Sequence, residues 1–352
     1  MDLPAQQVHV LVVDDSVVIR RVIARALERD PVIARTDFAG NGRLALAKIA
    51  QRRPDVVVLD IEMPVMDGFE TLMEIRRLEP DLPVVLFSSV DERVAAVALD
   101  ALSLGATDFV VKPVASAVAD AEAYVEEYLT PLVKELGSSR PKQSAAGGTS
   151  AAVPAGRRPG RVDAVVLGVS TGGPDALATL LRALPARLAV PLLVVQHMPP
   201  MFTRLLAERL DRLGGLAVRE AEHGEVLQPS TVYLAPGGRH LRLVRDGAEV
   251  RVELTDDPPE NSCRPAADVL FRSAVEAYGP AVLAVVLTGM GQDGLRGCQA
   301  VRAAGGHVLV QDPATAVVGS MPGSVLDAGL AHASLPIELL VPELVSRLGT
   351  SG

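Results

Sequence analysis

Tryptophan is absent from this chain of 352 residues, and aromatic side chains make up only 3% of it. Its cores must therefore be built from Val, Leu, Ala and Ile, and a hydrophobic content of 49% supplies enough of them. There are two cysteines, Cys263 and Cys298. They form neither a disulfide framework nor a metal-ligand spacing, and they fit a reduced, cytoplasmic protein. No apolar run is long enough to span a bilayer, and Met1–His9 lacks signal-peptide character, so no membrane insertion is expected. An excess of basic residues is also missing. Residues 1–136 carry a net charge of −9 and residues 162–352 a net of −5, whereas 137–161 carries +5. Two acidic halves argue against nucleic acid as a partner.

The length suggests two domains of ordinary size. In the first half, the spacing predicts strands at Val8–Val13, Val32–Thr36, Val56–Leu59, Val84–Phe87 and Phe109–Val111. Helices are predicted at Val17–Glu28, Arg43–Ala50, Phe69–Leu78, Arg93–Leu104 and Ala115–Leu136. Such alternation implies a doubly wound parallel sheet, whose ligands bind at the carboxyl ends of strands. Asp14, Asp15 and Asp60 fall at two such ends. Three carboxylates together repel one another, and Mg²⁺ would relieve this while recruiting phosphate. Lys112 ends the last strand as a counter-charge, and Ser88 ends the fourth with a hydroxyl suited to a phosphoryl oxygen. A lone Asp at such a place is more commonly a helix cap, but the set is hard to explain that way.

Asp14-Asp15, Asp60, Met63-Pro64, Met66-Asp67-Gly68, Ser88 and Lys112-Pro113 together resemble the receiver domain of bacterial response regulators. The resemblance implies a flavodoxin-like fold and phosphorylation of Asp60 by a histidine kinase. It also implies Mg²⁺ held by Asp14, Asp15, Asp60 and the Glu62 carbonyl, with Ser88 and Phe109 as the switch pair beside Lys112. Residues 137–161, rich in Ser, Ala, Gly and Pro, read as a flexible linker between domains 1–136 and 162–352.

The second half starts with an apolar strand, Ala164–Val169, that stops at Ser170-Thr171-Gly172-Gly173-Pro174 and leads into a helix from Asp175 to Leu184. Gly168–Gly172 fits G-x-S-x-G, a sharp strand-to-helix turn that presents a serine hydroxyl. The same turn could hold a phosphate or cofactor without chemistry, which leaves a non-catalytic partner- or nucleotide-binding module as the alternative. Strand Pro191–Gln196 ends at His197, and strand Ala281–Leu287 runs into Thr288-Gly289-Met290-Gly291-Gln292-Asp293-Gly294. A hairpin across Asp246-Gly247 and helices at Phe202–Leu213, Ala266–Ala277 and Leu295–Ala304 are also expected. Three strand ends thus present a nucleophile, a base and an acid, Ser170, His197 and Asp293. Helix N–H groups after Ser170 and the Gly289-Met290-Gly291 turn are candidate oxyanion donors. The chain order Ser–His–Asp differs from that of α/β-hydrolases.

Gly-Val-Ser-Thr-Gly-Gly at 168–173, Gln-His-Met at 196–198, Cys-Arg-Pro and Asp-Val-Leu-Phe within 263–271, Thr-Gly-Met-Gly-Gln-Asp-Gly at 288–294, Gln311-Asp312-Pro313 and Met321-Pro322 resemble the chemotaxis protein-glutamate methylesterases. That resemblance implies a Rossmann-like α/β catalytic domain that hydrolyses glutamate methyl esters on the cytoplasmic helices of chemoreceptors and deamidates glutamines. It gives Ser170, His197 and Asp293 as the catalytic triad, assigns Thr171 and Met290 to the oxyanion, and implies no cofactor for the ester chemistry.

Overall fold

The computed structural model describes residues 7–89, 92–113, 117–138 and 160–348. The chain divides into two compact units, Met1–Ser144 and Ala145–Gly352. Most of the expected linker, residues 139–159, lies outside the described residues.

In the first unit, five strands alternate with helices: β1 (Val8–Val13), α1 (Val17–Glu28), β2 (Ile33–Ala39), α2 (Gly42–Gln51), β3 (Val56–Leu59), α3 (Gly68–Leu78), β4 (Val84–Ser88), α4 (Glu92–Ser103) and β5 (Asp108–Val111). Every residue of β1, β3 and β4 is buried, as expected of strands covered by helices on both faces. All pairings are parallel, in the order β2-β1-β3-β4-β5. The chain moves from β1 to one side and returns at β3 on the other, so a crevice opens between the ends of these two strands. Caps fix the helix starts. Asn41 Oδ1 accepts from Leu44 N–H at 3.0 Å before α2, and Asp67 and Glu70 form a reciprocal capping box before α3.

The last helix departs from the single run expected over Ala115–Leu136. Residues 114–116 lie outside the described residues. From there α5 (Val118–Tyr124) passes through a π turn over Val125–Leu129 and continues as α6 (Thr130–Ser138). Pro131 explains the irregularity: it has no N–H to donate and its ring crowds the carbonyl one turn back. The Thr130 N–H and hydroxyl both donate to the Val125 carbonyl, the hydroxyl at 3.2 Å.

The second unit contains β6 (Ala164–Val169), α7 (Gly173–Ala183), β7 (Leu192–Gln196), α8 (Phe202–Asp211), β8 (Ala217–Glu220), β9 (Thr231–Leu234), β10 (His240–Asp246), β11 (Glu249–Thr255), α9 (Ala267–Tyr278), β12 (Val282–Val286), α10 (Leu295–Ala303), β13 (His307–Gln311), α11 (Ser320–Asp327), β14 (Ala333–Leu335) and α12 (Ile337–Leu348). Seven parallel strands run in the order β14-β13-β12-β6-β7-β9-β8. Here too the central strand, β6, is flanked by strands reached in opposite directions, which puts the crevice between β6 and β12. β10 and β11 pair antiparallel from His240↔Thr255 to Asp246↔Glu249, around the Gly247 turn. The hairpin's inner residues Leu241, Leu243, Val250 and Val252 join one core with Leu270, Phe271 and Ala274 of α9. β13, α11, β14 and α12 go beyond the sequence reading, which treats 311–322 only as a motif.

Candidate functional sites

In the first unit, Asp14 follows β1, Asp60 follows β3 and Lys112 follows β5, so all three stand at carboxyl ends of strands. Lys112 Nζ is 2.8 Å from Asp14 Oδ2 and 2.8 Å from Asp60 Oδ2. Asp14 and Asp60 are buried and Asp15 is exposed, and carboxylate oxygens of the three lie within 4.8 Å of one another. Burial and then the charge of Asp14 push the Asp60 carboxyl up, against the opposing pull of Lys112. Burial alone would lower Lys112, but its bonds to Asp14 and Asp60 raise it. One ammonium thus faces two carboxylates, with the exposed Asp15 beside them. Apart from that ionic approach, Asp14 Oδ2 has no hydrogen-bond partner among the described residues, so an oxygen-seeking cation fits this donor set.

Gly68 is required beside Asp60: a Cβ there would lie 2.1 Å from the Asp60 carbonyl oxygen. Ser88 is buried, its hydroxyl has no partner among the described residues, and its carbonyl accepts from Lys112 N–H at 2.7 Å. Phe109 is half-buried in β5. Glu62 is exposed, and its backbone bonds the Asp60 carboxylate.

In the second unit, Ser170 follows β6, His197 follows β7 and Asp293 lies in the loop after β12. Ser170 N–H donates to the Thr288 carbonyl at 3.0 Å and His197 N–H to the Val169 carbonyl at 3.1 Å, which ties the three strand ends together. Gly289 allows the approach, since a Cβ there would lie 2.8 Å from Ser170 Cβ. His197 Nε2 is 2.8 Å from Asp293 Oδ2. Ser170 Oγ makes no hydrogen bond among the described residues.

Asp293 is saturated. Oδ2 also accepts from Ala267 N–H at 2.6 Å. Oδ1 accepts from Asp268 N–H at 3.1 Å, Gly294 N–H at 3.0 Å and Asn261 Nδ2 at 3.0 Å. Two of those donors open α9, whose N-cap residue Ala266 has no capping side chain. Asp293 therefore caps a helix distant in sequence while it pairs with His197. Asp268 returns the service by accepting from Gly297 N–H in the first turn of α10 at 2.6 Å. Burial would raise Asp293, but His197 and the backbone donors hold it below the usual carboxylate range. Burial likewise would lower His197, but Asp293 and then Cys263 push it up to about 10. Cys263 Sγ lies 3.6 Å from His197 Nδ1. Asn261, Asp268 and Cys263 gain these roles only through folding. The Cys-Arg-Pro and Asp-Val-Leu-Phe motifs were the sole signal for two of them.

The turn after Ser170 is held by Gly172 at φ 75° and by Gly173 N–H donating to the Ser170 carbonyl at 2.8 Å. Gln196 Nε2 donates to that carbonyl as well, at 3.0 Å. The facing loop is pinned by Thr288 Oγ1 to the Thr171 carbonyl at 2.8 Å, Thr288 N–H to Gln311 Oε1 at 2.9 Å and Gly291 N–H to Ser320 Oγ at 2.9 Å. The N–H groups of Thr171, Gly172 and Met290 make no hydrogen bond among the described residues, so they are available to an anion. Thr171 is buried and Met290 half-buried. No helix among the described residues is long and apolar enough to cross a membrane.

Residues 165–344 match the CheB methylesterase family, and residues 10–122 match the response regulator receiver domain. A protein-glutamate methylesterase/protein-glutamine glutaminase of Nocardioides sp. is 50% identical over 350 residues, covering 97% of this chain and 95% of its own. The protein of the same name from Trichodesmium erythraeum is 44% identical over 348 residues, covering 97% and 99%. The crystal structure of the Thermotoga maritima CheB methylesterase catalytic domain has 42% sequence identity and a TM-score of 0.52, covering 53% of this chain and 99% of that one.

Proposed function

The chain belongs to the CheB methylesterase family, with a response regulator receiver domain preceding the esterase half, and from this we propose the reaction and its residues. It is a phosphorylation-activated protein-glutamate methylesterase and protein-glutamine glutaminase of chemotaxis signalling. Its substrates are glutamate methyl esters and glutamines on the cytoplasmic helices of chemoreceptors, and it acts in the cytoplasm.

Ser170 Oγ attacks the ester carbonyl and forms an acyl-enzyme. His197 takes the hydroxyl proton and returns it to the departing methoxide, so methanol leaves. His197 then takes a proton from water, which attacks the acyl-enzyme and releases glutamate with Ser170 restored. With glutamine the same sequence releases ammonia. Nε2 is committed to Asp293, so in the neutral ring Nδ1 is the nitrogen that accepts the proton. Asp293 cannot turn away because five donors hold its two oxygens. The oxyanion is received by N–H groups at Thr171 and Met290, at the start of α7 and in the pinned facing loop.

In the receiver, Asp60 takes the phosphoryl group from a phosphohistidine of the chemotaxis histidine kinase. Mg²⁺, held by Asp14, Asp15, Asp60 and the Glu62 carbonyl, supplies charge neutralisation for that transfer when bound. Lys112 and the buried Ser88 hydroxyl meet the phosphoryl oxygens, and Phe109 follows Ser88 as the switch aromatic.

The His197–Asp293 pair at the strand ends beside Ser170 carries the esterase reading. Methanol release from methylated receptor, with and without a small-molecule phosphodonor, tests it. Release that depends on Ser170 and rises with phosphodonor is expected. Release at the wild-type rate from a folded Ser170→Ala protein would overturn it.

A further inference from the structure

Both ring nitrogens of His197 are taken. Nε2 bonds Asp293 at 2.8 Å, and Cys263 Sγ stands 3.6 Å from Nδ1. Ser170 Oγ, meanwhile, makes no hydrogen bond among the described residues. The nucleophile and the proton-accepting nitrogen are therefore not joined in this conformation, and a thiol stands at that nitrogen. We infer that Cys263 is a positioning residue that covers Nδ1 of His197 in the resting enzyme and must yield it to Ser170 for turnover. This rests on the triad reading above.

The thiol is placed by a built loop. Glu260 and Cys263 exchange backbone hydrogen bonds at 3.1 and 2.9 Å, closing a turn through Asn261 and Ser262, both at positive φ. Arg272 grips Glu260 with two bonds, at 2.8 and 2.6 Å. Arg264 Nη1 reaches the carbonyls of Asp256 and Asp257 at 2.9 and 3.1 Å, and buried His240 bonds the Pro258 carbonyl through Nε2 at 3.1 Å. Asn261 of the same turn holds Asp293. One loop thus touches both members of the His197–Asp293 pair.

The sulfur stands where it can accept from Nδ1–H, and with Asp293 it favours the protonated ring, which has no lone pair left for the Ser170 proton. Asp293 and Cys263 are the titratable groups facing His197, with Asp268, Glu260 and Arg272 behind them. Removing the thiol should free the base, so the rising limb of activity should move to lower pH.

The test uses full-length protein and the rate at which a fluorophosphonate labels Ser170 as a function of pH, with Ser170→Ala as the blank. Cys263→Ala should lower the midpoint of the rising limb by roughly half a pH unit or more and label about threefold faster at neutral pH. Cys263→Ser, which keeps a hydrogen-bonding group but no ionisable thiol, should move it less. A Cys263→Ala protein of wild-type thermal stability whose midpoint stays in place, or whose rate falls equally at every pH, would overturn the inference and leave Cys263 a packing residue. If the alanine variant does not fold, an unmoved midpoint in Cys263→Ser overturns it instead. Wild-type protein that is not labelled at Ser170 would sink the triad reading itself, which separates the two failures.

Discussion

Asp60 and Asp293 are both buried aspartates that follow strands beside the switch point of a parallel sheet, yet their surroundings push them in opposite directions. Asp60 shares one lysine with Asp14, feels that neighbour's charge, and has its carboxyl raised. Asp293 is surrounded by four hydrogen-bond donors besides His197 and is held low. The difference lies in the supply of donors rather than in depth. An acid short of partners remains free to take up an incoming group, whereas a saturated acid can only orient its neighbour.

The sharpest way to probe the orienting side is to remove what Asp293 orients for. Ser170→Ala should lower methanol release about 10⁴-fold or more, and adding His197→Ala should slow it hardly further, because members of a triad act as one unit. Multiplicative losses in a cycle of initial-rate measurements would argue against a shared mechanism. Asp293→Asn keeps the shape but places an amide against the ring, and a loss of about a thousandfold is expected. In the wild type, His197 is raised and must be neutral to act as base. Activity should therefore climb with pH through a limb well above the ordinary value of 6.5, which a kcat/KM profile would locate.

These expectations rest on features of uneven legibility. The valine-rich strands end visibly just before Ser170, His197 and the Thr288–Gly294 loop that holds Asp293, because an apolar run that stops at a polar residue marks a strand end on the sequence itself. Asn261 and Cys263 carry no such mark. They lie in a turn whose geometry depends on Arg272 of α9, so their role is a property of the folded chain. Asp268 is marked only by its place in the Asp-Val-Leu-Phe motif, since an acid in the first turn of a helix is ordinary until α10 is brought beside it. Strand β14 is illegible for a different reason: it is three residues long, and Ser334 interrupts its apolar pattern.

On the receiver side, Asp60→Asn should abolish stimulation by a phosphodonor and leave basal methanol release in place. It should also stabilise the apo protein. A raised carboxyl favours the protonated form in the fold, so ionised Asp60 opposes folding above its ordinary value of 3.8. The amide should raise stability at neutral pH in chelator, and the gain should vanish in acid, where both folded and unfolded chains hold the proton. Denaturant titrations at two pH values measure this, and a loss of stability at neutral pH would mean that Lys112 outweighs burial and Asp14.

The smallest effect separates the two duties of Asp293. Its carboxylate accepts from the first two N–H groups of α9 because Ala266, at the N-cap, has no side-chain acceptor. Asp293→Ala should therefore lose stability as well as activity, by about 1–2 kcal/mol for the uncapped helix. Ala266→Ser places a hydroxyl at the position where such N–H groups are normally satisfied. In the wild type it should change stability by less than about 1 kcal/mol, because Asp293 already occupies those donors. In the Asp293→Ala background the same serine should restore about half of the lost melting temperature and none of the methanol release. Capping can be supplied from the helix itself, but orientation of His197 cannot. If the serine recovered activity along with stability, Asp293 would be acting on His197 only by holding α9 in place, and the contrast with Asp60 would reduce to one of packing.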